Sequence, residues 1–221
     1  KDGWAAYEHR FERCGGETNR RNFSQPAWNG EDLHGKAILL HAEQGFGDTI
    51  QFVRYASLVA TRGGTVYLEA HLELKRLLCN LPGIGNAMAR GALLPAFDVH
   101  CSLMSLPHRL NTRLETIPAD VPYLSAPAEM VTVWDERMHH DRNLRVGLVW
   151  SSNVLNKAIH ASKSVPLQNL CVLGECAGVS FYSLQKGEGC KEIAACSMSL
   201  IDWSDDLKDF CDTAALIANL D

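Results

Sequence analysis

Residues 36–70 read KAILLHAEQGFGDTIQFVRYASLVATRGGTVYLEA, and this order of patterns leaves few folds open. "KAILLHA" is a short apolar run of strand length. Two glycines and an acid, Gly45-Phe46-Gly47-Asp48, break it. "DTIQFVRYASLVATRG" then puts Ile50, Val53, Ala56 or Ser57, and Ala60 on one helical face, and Gly63-Gly64 ends it. "TVYLEA" is a second strand. A strand, a crossover helix and a strand predict parallel pairing with helices on both faces of a sheet.

The alternation continues along the chain. "HLELKRLLCNLPG" predicts a helix stopped by Pro82-Gly83, "GNAMARG" a short strand, and "FDVHCSL" another. "RLETIPADVPYL" reads as a loop broken by Pro118 and Pro122. "PAEMVTVWDERMHHD", residues 127–141, predicts a helix that Pro127 opens. A second series follows: a strand from Leu144 in "LRVGLVWS", a helix in "VPLQNLCVLGEC" with Pro166 in its first turn, a strand in "VSFYSLQ", a short helix in "CKEIAACS", a strand in "SLIDW", and a last helix in "DLKDFCDTAALIANL". Before the first series, residues 1–13 predict a helix with Trp4, Tyr7 and Phe11 on one face. Residues 14–35 read as a polar, glycine-rich linker whose aromatics, Phe23 and Trp28, suggest that it is docked rather than free. The predicted organisation is therefore 1–35 helix and linker, 36–126 one α/β lobe, and 127–221 a linker helix with a second α/β lobe.

Composition excludes several classes. The chain is 46% hydrophobic and 21% charged with a net charge of −5, so no basic footprint points to nucleic acid or an anionic membrane. No apolar run approaches the roughly 18 residues of a membrane span. The chain opens Lys1-Asp2-Gly3-Trp4, with neither an initiator Met nor a signal-peptide pattern, as expected of a piece of a longer protein. Its eight cysteines form no C-x-x-C and share no ligand spacing with the nine histidines. They read as reduced, packed thiols of a cytoplasmic protein, Cys79 in "RLLCN" and Cys171 in "NLCVL" among them.

Three strand ends carry the candidate chemistry. At the first, Gly45 and Gly47 fit a dinucleotide fingerprint, but Ile50 stands where the third glycine belongs, which disfavours a dehydrogenase. No G-K-[ST] follows, so this is not a P-loop. Ligands of open α/β sheets bind outside the carboxyl ends of strands. Gln44, Gly45 and Gly47 are thus candidate substrate-binding residues, and His41 sits beside them at the strand end. Asp48 either caps the helix or presents a carboxylate to a substrate. At the second end, "VGLVWSSN" places Trp150, Ser151 and Asn153 at a carboxyl edge. A polar loop with Lys157, His160 and Lys163 follows, either a surface loop or a source of cations for a phosphorylated donor. At the third, "YSLQKGEG" offers Gln185 and Lys186, the latter either an ordinary turn lysine or a point charge for a phosphate. The remaining histidines form no constellation.

Taken together, "HAEQGFGDTIQFVRY", "TIPADVPYL", "RVGLVWSSN", "SLQKG" and "DFCDTAALIANLD" resemble bacterial tetratricopeptide-repeat proteins that carry a glycosyltransferase domain of the heptosyltransferase (family 9) and O-linked GlcNAc transferase group. The opening "GWAAYEHRFE" resembles the last helix after such a repeat array. The resemblance implies a GT-B architecture of two Rossmann-like lobes with the active site in the cleft. It implies transfer of a sugar from a nucleotide-sugar donor to a hydroxyl of a protein or saccharide acceptor, without a metal or other cofactor. It makes Asp48 the general base and Lys186 a ligand of the donor phosphates, with Trp150, Ser151, Asn153, Lys163 and Gln185 on the donor side. The family continues past the "TAALIANLD" segment with a strand and a Ser/Thr-rich turn, so the second lobe is expected to be incomplete here and to promote self-association. Lys163-Ser164 stands where Arg-Ser is usual. A non-catalytic nucleotide-sugar-binding or protein-interaction module is the alternative.

Overall fold

The structure, a computed structural model, describes residues 2–12, 21–152 and 157–221. They form two compact units, Lys1–Leu124 and Ser125–Asp221.

The first unit opens with α1 (Asp2–Tyr7), which tightens into a 3-10 helix, Glu8–Glu12. Then come β1 (Ala37–His41), α2 (Phe46–Val53), α3 (Ala56–Ala60), β2 (Thr65–Ala70), α4 (Leu72–Leu78), β3 (Ile84–Ala89) and β4 (Val99–Ser102). A 3-10 turn, Leu103–Ser105, leads into α5 (Leu106–Arg109). All four strands are parallel, in the order β3-β2-β1-β4. Ile38, Leu39 and Leu40 are consecutive and wholly buried, as a strand covered on both faces requires. The predicted linker is part of this unit. Ala27 bridges to His100 of β4, Trp28 is fully buried, and the Trp28 indole N–H donates to the Glu31 carbonyl at 2.9 Å.

The single helix expected over 48–63 is two helices. The Tyr123 hydroxyl donates to the Ile50 carbonyl at 3.0 Å, an acceptor that a continuous helix would give to the Arg54 N–H. The Tyr55 N–H closes instead on Phe52, three residues back.

The second unit comprises α6 (Ala128–Met138), β5 (Leu144–Leu148), α7 (Lys157–Lys163), β6 (Val179–Ser183), β7 (Leu200–Asp202) and α8 (Phe210–Ile217). Its strands are parallel in the order β5-β6-β7. Adjacent residues of β6 seed the two faces, because successive side chains of a strand point to opposite sides. Tyr182 packs with Trp134, Met138, Leu207 and Leu216, under α6 and α8. Phe181 packs with Trp150, Leu167 and Met198 on the other face.

Three expectations change here. The polar loop after Asn153 carries α7. The segments after Pro166 and Lys186 are 3-10 helices, Leu167–Glu175 and Gly187–Ala195, rather than α-helices. The two are tied end to side: the Leu167 N–H donates to Glu192 Oε2 at 2.8 Å, so a neighbouring carboxylate satisfies a helix-end donor. Pro127 and Pro166 are N-caps, one residue outside the helices they open. On the far side of β5 from β6, Asp221 donates its N–H to the Arg145 carbonyl at 3.1 Å, and its side chain accepts from the Arg145 N–H at 3.0 Å. Among the described residues, no helix is long and apolar enough to cross a membrane.

Trp28 holds the 21–35 segment against the sheet. Trp28→Ala is expected to destabilise the first unit by about 3–5 kcal/mol, read as a lower midpoint in denaturant unfolding.

Candidate functional site

Parallel strands all leave the sheet by the same edge. In the first unit the order β3-β2-β1-β4 makes β1/β4 the place where the chain reverses its direction of travel across the sheet. In open α/β sheets, ligands bind in the crevice outside such a switch point. Here the crevice is polar and crowded. Glu43, two residues past β1, is buried, and its carboxylate accepts from Arg10 Nε at 2.6 Å, from Arg10 Nη2 at 3.2 Å and from the Ser102 hydroxyl at the end of β4. Arg10 also donates to Ser105 Oγ at 2.7 Å and to Glu8 Oε1 at 2.7 Å. Burial works against the Arg10 charge, and the bonds to Glu43 and Glu8 more than offset it, so its pKa is raised. One strand over, Glu69 is fully buried in β2 and takes Arg21 through two bonds, 2.6 and 3.2 Å. Two arginines from the N-terminal segment thus clamp two buried carboxylates at one sheet edge.

Beside this clamp lies a cavity of about 610 Å³, lined by Arg21, Phe23, His41, His100, Ser105 and Arg109 among others. His41 and His100 meet at 3.4 Å between ring nitrogens, with Phe23 edge-on to His41. Burial, then repulsion from His100 when it is protonated and from the guanidinium groups of Arg21, Arg90 and Arg10, pushes the His41 pKa down to about 3. Burial lowers His100 as well. Both imidazoles are therefore neutral at pH 7. Among the described residues, His41 Nδ1 and Arg109 Nε are buried without a hydrogen-bond partner.

The glycine turn lies at the same edge. Gly45 is the extended N-cap of α2, and Asp48 is at N3. Asp48 Oδ2 accepts from the Gly45 N–H at 3.1 Å, the return half of a capping box. The carboxylate is half-buried, and Gln44, Gly45 and Gly47 around it are exposed. Helix capping by Asp48 is thus present in the fold, and its second oxygen has no protein partner among the described residues.

In the second unit Gln185 organises the strand ends. Its buried amide oxygen accepts from the Trp150 N–H at 3.1 Å and the Ser151 N–H at 2.8 Å. Its nitrogen donates to the carbonyls of Ser151 at 2.9 Å and Lys186 at 2.8 Å. Every bonding position of the amide is used within the chain, so Gln185 positions the turn. Trp150 is a core residue, its indole N–H bound to the Gly189 carbonyl at 3.2 Å. Ser151 is buried, and Lys163 is exposed at the end of α7. His160 receives a structural role: Ser164 Oγ lies 2.9 Å from its Nδ1, and the same hydroxyl accepts from the Ser152 N–H at 2.9 Å. Lys186 is exposed, and its ammonium bonds the Ser204 carbonyl beyond β7, which places its charge at the carboxyl edge of the sheet. Asn153 lies outside the described residues.

Sequence reading missed Arg10, Glu43, Glu69 and His100. The signal for Glu69 was present: a lone carboxylate inside the apolar run "TVYLEA" must find a cation when both faces of the strand are buried. Nothing in the sequence joins Arg10 to Glu43, 33 residues away. The cysteines divide, too. Cys101 and Cys211 are buried, but Cys79 and Cys176 are exposed, so not all are packed thiols.

No family model matches the sequence. The fold matches the crystal structure of a glycosyl transferase family 9 protein from Veillonella parvula, with a TM-score of 0.62 and 10% identity, over 90% of this chain and 76% of that one. The architecture is therefore an α/β fold with parallel sheets, like that of a GT-B glycosyltransferase. In sequence the chain is 28% identical to Protein FlbA of Caulobacter vibrioides over 247 aligned positions, which take in all of this chain and 41% of FlbA. The chain spans less than half the length of that relative.

Two outcomes are expected from these contacts. Glu43→Gln removes one of the two carboxylates that hold buried Arg10, leaving Glu8, and is expected to cost about 1–3 kcal/mol in denaturant unfolding. His41 gives a pH dependence of definite sign. Its folded pKa of about 3 lies below the unfolded value of about 6.5, so between them the unfolded chain binds the extra proton. Its contribution is fully present above pH 6.5 and is lost as pH falls. Between pH 7 and 5, His41→Gln is expected to lose about 2 kcal/mol less stability than the unaltered chain.

Proposed function

We propose that this chain is the glycosyltransferase part of a longer protein and takes part in moving a sugar from a nucleotide donor to a hydroxyl acceptor. The observation that carries the reading is the fold match to a glycosyl transferase family 9 protein over 90% of the chain. The strand ends supply suitable chemistry. An acceptor hydroxyl needs a carboxylate to take its proton as it attacks. Asp48 suits that role better than Glu43, because Glu43 is fully engaged by Arg10 and Ser102, whereas Asp48 is half-buried among exposed glycines. A departing nucleoside diphosphate needs positive charge and N–H donors. Lys186, at the carboxyl edge of the second sheet, is the proposed source, and the exposed Lys163 is a second cation for the donor. Ser151 and Trp150 serve by shaping the turn that Gln185 holds.

A specific observation favours the alternative, a nucleotide-sugar-binding or protein-interaction module. Both proposed functional charges already have partners in the chain, Gly45 N–H for Asp48 and the Ser204 carbonyl for Lys186. A module would use them only to hold turns together.

Calorimetric titration with UDP, GDP, ADP and their sugars tests donor binding. Saturable binding to one nucleotide that weakens at least about tenfold in Lys186→Ala supports the donor role, and unchanged affinity sinks it. In the full-length protein, Asp48→Asn is expected to lower transfer by about 10²-fold or more with little loss of stability. Unchanged turnover would leave Asp48 a helix cap and favour the module.

A further inference from the structure

Two cysteines of the second unit lie against each other. Cys171 is on the 3-10 helix Leu167–Glu175, and Cys196 is the C-cap of the 3-10 helix Gly187–Ala195. They are 25 residues apart in sequence, and their sulfurs are 2.6 Å apart. That is far inside an ordinary non-bonded sulfur contact and only a little beyond the about 2.05 Å of a disulfide. Both are half-buried at the rim of the core formed by Trp150, Leu167, Phe181 and Met198. The segments that carry them are already joined through Leu167 and Glu192, so the backbone needs little movement to bring the sulfurs into bonding distance.

The other described cysteines offer no such pair. Cys101 is fully buried, with its thiol pushed up to about 12 by burial. Cys211 is buried with the Met130 thioether as its sulfur neighbour at 3.5 Å. Cys190 donates to the Gln185 carbonyl at 3.1 Å.

We propose that Cys171 and Cys196 are a reversible dithiol–disulfide site that ties the two 3-10 segments together across one face of the β5-β6-β7 sheet. The oxidant class is a low-molecular-weight disulfide. The Cys171 thiolate attacks one sulfur of glutathione disulfide, forming a mixed disulfide and expelling one glutathione thiolate. The Cys196 thiolate then attacks the Cys171 sulfur, forming the internal disulfide and expelling the second. Two electrons pass from the cysteine pair to glutathione disulfide, and the two thiol protons end on the two glutathiones. The division of roles follows the contact: the hydrogen bond from Cys196 lowers the Cys171 pKa, while burial raises that of Cys196. The consequence is local. The second 3-10 helix carries Gly189, whose carbonyl holds the Trp150 indole, so oxidation stiffens the packing beneath the Trp150–Ser151 turn.

The test uses the whole chain. Protein is equilibrated in glutathione buffers of graded ratio, quenched in acid, alkylated, digested and mapped by mass spectrometry, and its thermal midpoint is recorded in each buffer. The expected result is a Cys171–Cys196 cross-linked peptide lacking two hydrogens, which forms at ratios where Cys79 and Cys176 still alkylate. The midpoint should rise on oxidation and stay fixed in Cys171→Ser and Cys171→Ala. Separate glutathione adducts on the two cysteines, linkage to Cys176 or Cys190, or two free thiols throughout the series would overturn the site. The peptide map is read on the unaltered chain, so a variant that folds poorly does not blunt the test.

Discussion

Parallel pairing of the strands is the constraint on which everything else here rests. It sends every strand end to one edge of its sheet and buries both faces of the central strands. β1 shows the cost. With Ile38, Leu39 and Leu40 wholly covered, the chain has no cheap place for a charge until it leaves the sheet. The polar residues that do sit at the edge, His41, Glu43 and Glu69, are consequently buried and must be neutral or paired. His41 is held neutral, and the two carboxylates take an arginine each.

Those arginines change the meaning of the N-terminal segment. Arg10 and Arg21 lie before the first strand, yet they complete the electrostatics of the switch point between β1 and β4. Trp4 meets Phe52 of α2 edge-on, and Trp28 is sealed under the segment that pairs with β4. A stretch that resembles the end of a repeat array and a linker is, in the fold, one wall of the crevice. A buried ion pair of this kind adds little net stability compared with an apolar contact of equal size, but breaking it leaves a charge stranded. It therefore fixes where the segment docks more than how tightly.

The second unit solves the same edge with a neutral group. Gln185 uses both ends of its amide to pin Trp150, Ser151 and Lys186, so three strand-end residues are held by one side chain. Lys186 and Lys163 remain at the surface as cations near that turn. The fold around this arrangement is shared with a glycosyl transferase family 9 protein.

The alternation of apolar runs, helical periodicity and glycine stops was enough to place the seven strands found among the described residues and the parallel character of both sheets, because these are local patterns with fixed periods. The strand-end glycine turn and Asp48's place in the first helical turn were legible for the same reason. Tertiary structure decided what local pattern cannot carry. The Tyr123 hydroxyl splits one predicted helix into two from 73 residues away. Glu43 acquires Arg10, and His41 acquires His100, through contacts 33 and 59 residues apart in sequence. Sequence spacing holds no record of such meetings: they arise when strands distant in the chain are brought side by side, and only then does a buried polar group find, or fail to find, its partner.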